Sequence, residues 1–364
     1  MQHTFWQDIL AKQGMILGLS PMDGVSDYPF RAISKKYGRM DVVFTEFANV
    51  EGICRSGHAA ILNHFDFDAA QRPLIAQIFG KTPEYFRQVA VLLCELGVDG
   101  IDINMGCPAP TVASHGSGAA LIKTPQLAQQ IIKAVQTGVR EWANGMTLAD
   151  CPDLGPHLQV ALDAKRIRFQ LPIADRSKLP TVSVKTRMGF HEESAATWLP
   201  YLVDMQPAVI TLHGRTLKQS YTGQANWEVI GRSATLVKQL NPQIIFLGNG
   251  DVMDYEMAQA KVREYGVDGV LIGRASFGKP YVFLPEQERL TFLQTQNIFA
   301  IALEHATLYE QTYGGGDKYH FLPMRKHLAW YARGVPQAAT IRSALVRSNS
   351  ATDVAQILKA HQLI

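Results

Sequence analysis

Ile244–Asp251 reads IIFLGNGD and Gly269–Arg274 reads GVLIGR. Each is a short apolar run that stops at glycine and a polar side chain. Continuous apolar texture marks a parallel strand buried on both faces, whereas a half-exposed strand alternates. The same texture recurs at Ile16–Ser20 (ILGLS), Val42–Glu46 (VVFTE), Leu74–Phe79 (LIAQIF) and Asp99–Asn104 (DGIDIN). It returns at Thr181–Arg187 (TVSVKTR) and Val209–His213 (VITLH). Amphipathic segments such as Pro83–Leu96 and Pro125–Val135 lie between these runs. Eight βα units favour an α/β fold of the closed (β/α)8 TIM-barrel type over an open doubly wound sheet.

After Pro285 the strand signals stop. Apolar spacing at Phe299–Leu308, Met324–Tyr331 and Val354–Leu363 reads as helix, with breaks at Gly314–Gly316 and Pro336. The expected organisation is a barrel over 1–284 followed by a small all-α domain over 285–364. The segment at about 142–179 exceeds an ordinary helix-to-strand connection. It carries Pro152, Pro156 and Pro172, and a basic patch at Lys165, Arg166 and Arg168. Such connections lie at the bottom of a barrel, so a surface excursion is expected there. Contact with substrate is the other reading.

The 364 residues are 47% hydrophobic and 18% charged, with a formal net charge of +3. That suits a soluble globular protein, and any nucleic-acid partner must be met by locally concentrated charge. Four cysteines without zinc spacing point to reduced thiols and no metal. The N-terminus lacks a signal-peptide core, and no apolar run is long enough to span a bilayer. The expectation is a cytoplasmic, monomeric protein without membrane contact.

Barrel enzymes carry their chemistry at the C-terminal ends of the strands. Here those ends bear Pro21 and Met22, Glu46, Gln77, Asn104 with Cys107, Lys185 with Arg187, His213, Asn249 with Asp251, and Gly273 with Arg274. Gly248–Gly250 and Gly273–Arg274 sit where barrels usually hold phosphate. Glycine admits close approach of backbone N–H groups, and Arg274 can pair with a dianion. The plainer reading is two tight turns with Arg274 in solvent. Cys107 follows a strand in Asn104-Met105-Gly106-Cys107-Pro108 and projects into the mouth, though a lone cysteine also serves as core filler.

Several stretches together resemble the tRNA-dihydrouridine synthase family. They are LSPMDGVSDYPFR, TEF, QIFG, DINMGCP, SVKTRMG, TLHGRT followed by YTGQANW, GNGD and LIGRASFG. RKHLAWY (Arg325–Tyr331) is similar to the helical domain of the bacterial B branch. Departures are the 142–179 segment and the SHGSGAA stretch after Cys107. The resemblance implies FMN in the barrel mouth and NADPH as reductant of the enzyme. Pro21 and Met22 would line the flavin. Gln77, Lys185 and His213 would bond its ring and ribityl chain, the Lys185 ammonium stabilising the reduced anion. Asn249, Asp251, Gly273 and Arg274 would lie at the ribityl-phosphate end. Asn104 and Arg187 would face the uracil, and Cys107 would be the general acid.

The tRNA partner is expected to meet the tail. Lys318, Arg325, Lys326, Arg333, Arg342 and Arg347 fall in a stretch whose one acid is Asp317. Two other readings stand beside this one. A flavin barrel reducing a small molecule would not need the basic tail, and a non-catalytic RNA-binding barrel would not need Cys107.

Overall fold

In the computed structural model, described over residues 4–56, 59–315 and 319–364, eight parallel strands close into one barrel in chain order. They are β1 (Ile16–Leu19), β2 (Val42–Asn49), β3 (Leu74–Phe79), β4 (Gly100–Met105), β5 (Thr181–Gly189), β6 (Val209–Thr216), β7 (Ile245–Asn249) and β8 (Gly269–Ile272). The seam pairs β1 with β8, with Ile16 opposite Gly269. A Cβ on Gly269 would lie 2.1 Å from the Ile16 carbonyl oxygen, so a side chain there would hold the barrel open.

All eight apolar runs form the expected strands. Three continue by two residues or more: β2 to Asn49, β5 to Gly189 and β6 to Thr216. The register shifts between Phe44 and Phe47 and between Arg187 and Gly189. Such bulges re-aim side chains at a barrel rim, and they break the apolar texture by which a strand is recognised.

Helices α1 (Phe5–Gln13), α2 (Tyr28–Tyr37), α3 (Val50–Ser56), α4 (Pro83–Leu96), α5 (Pro110–Ala113), α6 (Pro125–Ala143), α7 (Pro156–Phe169), α8 (Ala195–Asp204), α9 (Trp227–Leu240) and α10 (Tyr255–Tyr265) surround or flank the barrel. In α4, Pro83 opens the first turn and Gly97, at φ 81°, terminates the helix. Its Phe86, Val89, Ala90 and Leu93 are fully buried in the main core.

The chain ends in α11 (Glu286–Thr295), α12 (Ile298–Tyr313), α13 (Leu322–Tyr331), α14 (Ala338–Leu345) and α15 (Ala351–Ala360). These helices gather an apolar cluster separate from the main core, built on Phe299, Ala302, Met324, Leu328, Leu345 and Val354 and joined by Ile33 of α2. On that ground we propose the division into 1–284 and 285–364. The helical part is held by Phe277 stacked on Trp330, ring centroids 3.9 Å apart. Gly278 permits this approach: at φ +68° its missing Cβ would meet the Trp330 backbone at 2.5 Å.

The 142–179 segment corrects one expectation. Lys165, Arg166 and Arg168 do not make a free basic patch, because α7 turns them against the protein. Lys165 is buried in an ion pair with Asp66 and also donates to Asn63 Oδ1 at 2.9 Å. Arg166 pairs with Glu95 at 3.1 Å, and Arg168 donates to the Thr312 carbonyl of α12. Residues 172–175 and 177–180 border a groove at the N-terminal ends of the strands, opposite their polar ends.

Removing one partner of a buried pair strands the other charge. Lys165→Met should therefore cost about 3 kcal/mol of stability. Urea unfolding measures this, and adding Asp66→Asn should restore much of the loss.

Candidate active site

The C-terminal strand ends enclose a cavity of about 860 Å³. Pro21, Met22, Gln77, Asn104, Cys107, Lys185, Arg187, His213, Asn249, Asp251, Gly273 and Arg274 all line it. They converge because they sit at the ends of seven of the eight strands of one barrel, and inward positions at neighbouring strand ends meet at the axis.

Across β3, β4 and β5, Gln77 lies opposite Asp102, and Asp102 opposite Ser183. Gln77 Nε2 donates to Asp102 at 2.7 Å, and Ser183 Oγ donates to its other oxygen at 2.6 Å. Asn104 Nδ2 donates to Gln77 Oε1 at 2.9 Å. Asn104 Oδ1 accepts the N–H groups of Gly106 at 3.0 Å and Cys107 at 2.8 Å. Burial pushes the fully enclosed Asp102 carboxyl up to about 6, against its bonds to Ser183 and Gln77.

Arg187, on β5, ties together the ends of its two neighbours, β4 and β6. It donates to the carbonyls of Gly106 at 2.7 Å, Thr216 at 2.9 Å and Ser220 at 3.1 Å. No protein hydrogen bond to Lys185 Nζ is found among the described residues. Burial and then the Arg187 charge bring the Lys185 ammonium down to about 8. Burial also pushes the Cys107 thiol up, opposed by the Ala109 N–H and by the charges of Arg187 and Lys185.

The opposite wall is a charged tie. Asp251, at φ 55°, accepts from Arg215 at 2.6 Å, Arg274 at 3.0 Å and the Ala225 N–H at 2.8 Å. Asp251 thus orients two guanidinium groups, instead of meeting an anion itself. Asn249 is likewise occupied, its amide tying β7 to β8 through the Leu271 carbonyl at 2.9 Å. Burial and the charges of Lys185, Arg187, Arg215 and Arg274 hold His213 well below its ordinary range, so it is neutral.

Arg215 and Asp102 were absent from the strand-end reading. Arg215 lies beyond the His213 end assigned to β6, and Asp102 falls inside a strand where it resembles a lone core polar group. The tail residues lie elsewhere. Lys326 Nζ reaches the Gly24 carbonyl beside the rim. Arg325 holds Ser348 O at 2.9 Å and Asn349 Oδ1 at 2.6 Å, so it knits the helical part together. Arg333, Arg342 and Arg347 are exposed, and Lys318 lies outside the described residues. Among the described residues there is no cluster suited to a metal and no helix long and apolar enough to cross a membrane.

The family model for dihydrouridine synthase matches residues 18–143 and 174–363. The chain belongs to the dihydrouridine synthase family. The unmatched 144–173 falls inside the excursion that carries α7. A relative from Staphylococcus epidermidis, described as a probable tRNA-dihydrouridine synthase, is 30% identical over 98% of this chain and 96% of its own. Probable tRNA-dihydrouridine synthase 2 of Bacillus subtilis is 29% identical over the same shares. Among solved structures, histamine dehydrogenase from Rhizobium sp. 4-9 aligns with a TM-score of 0.44 and 13% identity, covering 80% of this chain and 48% of that one. In this family member the barrel mouth holds a cavity rich in cations with few counter-charges.

An ammonium without a partner in such a site opposes folding. At pH 7, Lys185→Met should stabilise the ligand-free protein by on the order of 1–3 kcal/mol. Because the folded state holds this proton less tightly than the unfolded chain, wild-type stability recovers as pH rises from about 8 towards the ordinary lysine range. The gap between variant and wild type in thermal melts should narrow over that window.

Proposed function

We propose that this enzyme is a tRNA-dihydrouridine synthase that uses FMN and NADPH to reduce the C5=C6 bond of selected uridines in tRNA. The observation that carries this reading is the cavity's composition. Lys185, Arg187, Arg215 and Arg274 crowd it, and Cys107 lines the same wall. A phosphorylated cofactor with an acceptor-rich ring fits that donor set.

Arg274, turned by Asp251, and the glycine-flanked ends of β7 and β8 would hold the phosphate, with Asn249 and Gly273 beside the ribityl chain. Pro21 and Met22 would wall the flavin, while Lys185, Gln77 and neutral His213 would bond its ring. FMN reduced there by NADPH would supply a hydride to uracil C6. Asn104 and Arg187 would orient the base, and Cys107 Sγ would give its proton to C5. A buried thiol keeps that proton at neutral pH, as a general acid must. A stacked base cannot reach such a cavity, so the target uridine must be unstacked. The helical part over 285–364 would meet the tRNA backbone, in a monomer working in the cytoplasm.

The purified protein should be yellow and release FMN on denaturation. Cys107→Ala should keep the flavin and its reduction by NADPH, yet reoxidise with tRNA about 10²–10⁴-fold more slowly. Stopped-flow of both half-reactions separates the steps, and wild-type reoxidation in the variant would remove Cys107 from the chemistry.

The exposed tail cations generate a separate expectation. Combining Arg333→Gln, Arg342→Gln and Arg347→Gln should weaken tRNA binding. It should also flatten the log–log salt dependence by about 0.7–0.9 per lost phosphate contact. An unchanged slope would assign RNA binding to the barrel alone.

A further inference from the structure

We infer that Asp102 is a positioning residue that fixes the hydrogen-bond polarity of Gln77 and Asn104, so that both amides face the cavity as donors and the Cys107 loop is held in place. This inference rests on the proposed function for its ligand but not for its geometry.

The amide atoms of asparagine and glutamine are assigned by their partners. Here the partners at both ends leave one solution. An ionised carboxylate can only accept, so the Gln77 group 2.7 Å from Asp102 is its NH2. The Gln77 oxygen therefore faces Asn104, which must present its own NH2 at 2.9 Å. Asn104 is then left with its oxygen towards the N–H groups of Gly106 and Cys107, which can only donate. Ser183 steadies the anchor by donating to the second carboxylate oxygen at 2.6 Å.

Each amide keeps one further N–H. Both residues line the cavity, where Lys185 adds another donor. A ligand atom meeting this wall must be an acceptor, which suits the carbonyl edge of a pyrimidine or of the flavin's pyrimidine ring. Asp102 itself is fully buried and touches neither cavity nor solvent. Its effect reaches the cavity through Gln77 and reaches the thiol through Asn104.

The test compares wild type with Asp102→Asn and Asp102→Leu. Asparagine can accept from Gln77 through Oδ1 and donate to Ser183 through Nδ2, so it preserves the polarity. Leucine fills the space and preserves nothing else. Two readouts are taken: alkylation of Cys107 by iodoacetamide, followed by peptide mass spectrometry, and FMN affinity by fluorescence titration of the apoprotein.

In Asp102→Leu, Cys107 should alkylate about tenfold faster and FMN should bind about tenfold more weakly, each the scale of one lost buried hydrogen bond. Asp102→Asn should stay within about twofold of wild type in both, which simple loss of a buried charge would not produce. If Asp102→Leu does not fold, Ser183→Ala frees one carboxylate oxygen and should raise alkylation about threefold. Wild-type alkylation in Asp102→Leu, or in Ser183→Ala where that variant stands in, overturns the assignment. A wild-type protein that binds no FMN would refute the proposed function, and the alkylation arm would still decide the role of Asp102.

Discussion

The cavity at the barrel mouth is built around a surplus of positive charge in a place where charge is expensive. Lys185 and Arg187 on β5, Arg215 on β6 and Arg274 after β8 all reach one cavity. Burying like charges together costs several kcal/mol unless hydrogen bonds or counter-ions compensate. The structure compensates unevenly. Arg187 is satisfied by three carbonyls, and Arg215 and Arg274 share Asp251. Lys185 has no such partner among the described residues, so its ammonium is depressed, and His213 stays neutral beside these cations. The outcome is an electropositive cavity that holds an unmatched ammonium.

The same field acts on Cys107, and here two effects compete. Nearby cations favour a thiolate, as in reactive cysteines. Burial favours the thiol, and burial prevails. The guanidinium of Arg187 gives its hydrogen bonds to backbone carbonyls, including that of Gly106 next to the cysteine. A nucleophile would need the opposite balance.

The barrel was legible in the sequence because parallel strands must be apolar on both faces, and eight such runs have few other arrangements. The candidate cavity residues were legible because chemistry at strand ends interrupts that texture. What could not be read was how polar groups are paired. Asp251 is expected at the phosphate end, and the sequence does not show that it ties two arginines there. Arg325 is expected to meet RNA, and the sequence does not show that its guanidinium bonds Ser348 and Asn349. Lys165, Arg166 and Arg168 seemed a basic patch, yet each meets a partner far away in sequence. Arg215 was overlooked because a bulged strand runs on after its apolar run has ended. A charge is visible in one dimension, whereas its partner is a property of the fold.

The helical part bears on the cavity through two loops. Lys326 bonds the Gly24 carbonyl in the loop that carries Pro21 and Met22. Trp330, one helical turn further along α13, stacks on Phe277 in the loop that carries Gly273 and Arg274. Both loops line the cavity, on β1 and on β8, and these two strands form the barrel seam. One helix therefore braces both sides of that seam. A displacement of α13 cannot leave the cavity wall untouched, because Gly278 puts backbone against backbone with no side chain to yield. The appended helices are thus part of the frame that sets the shape of the barrel mouth.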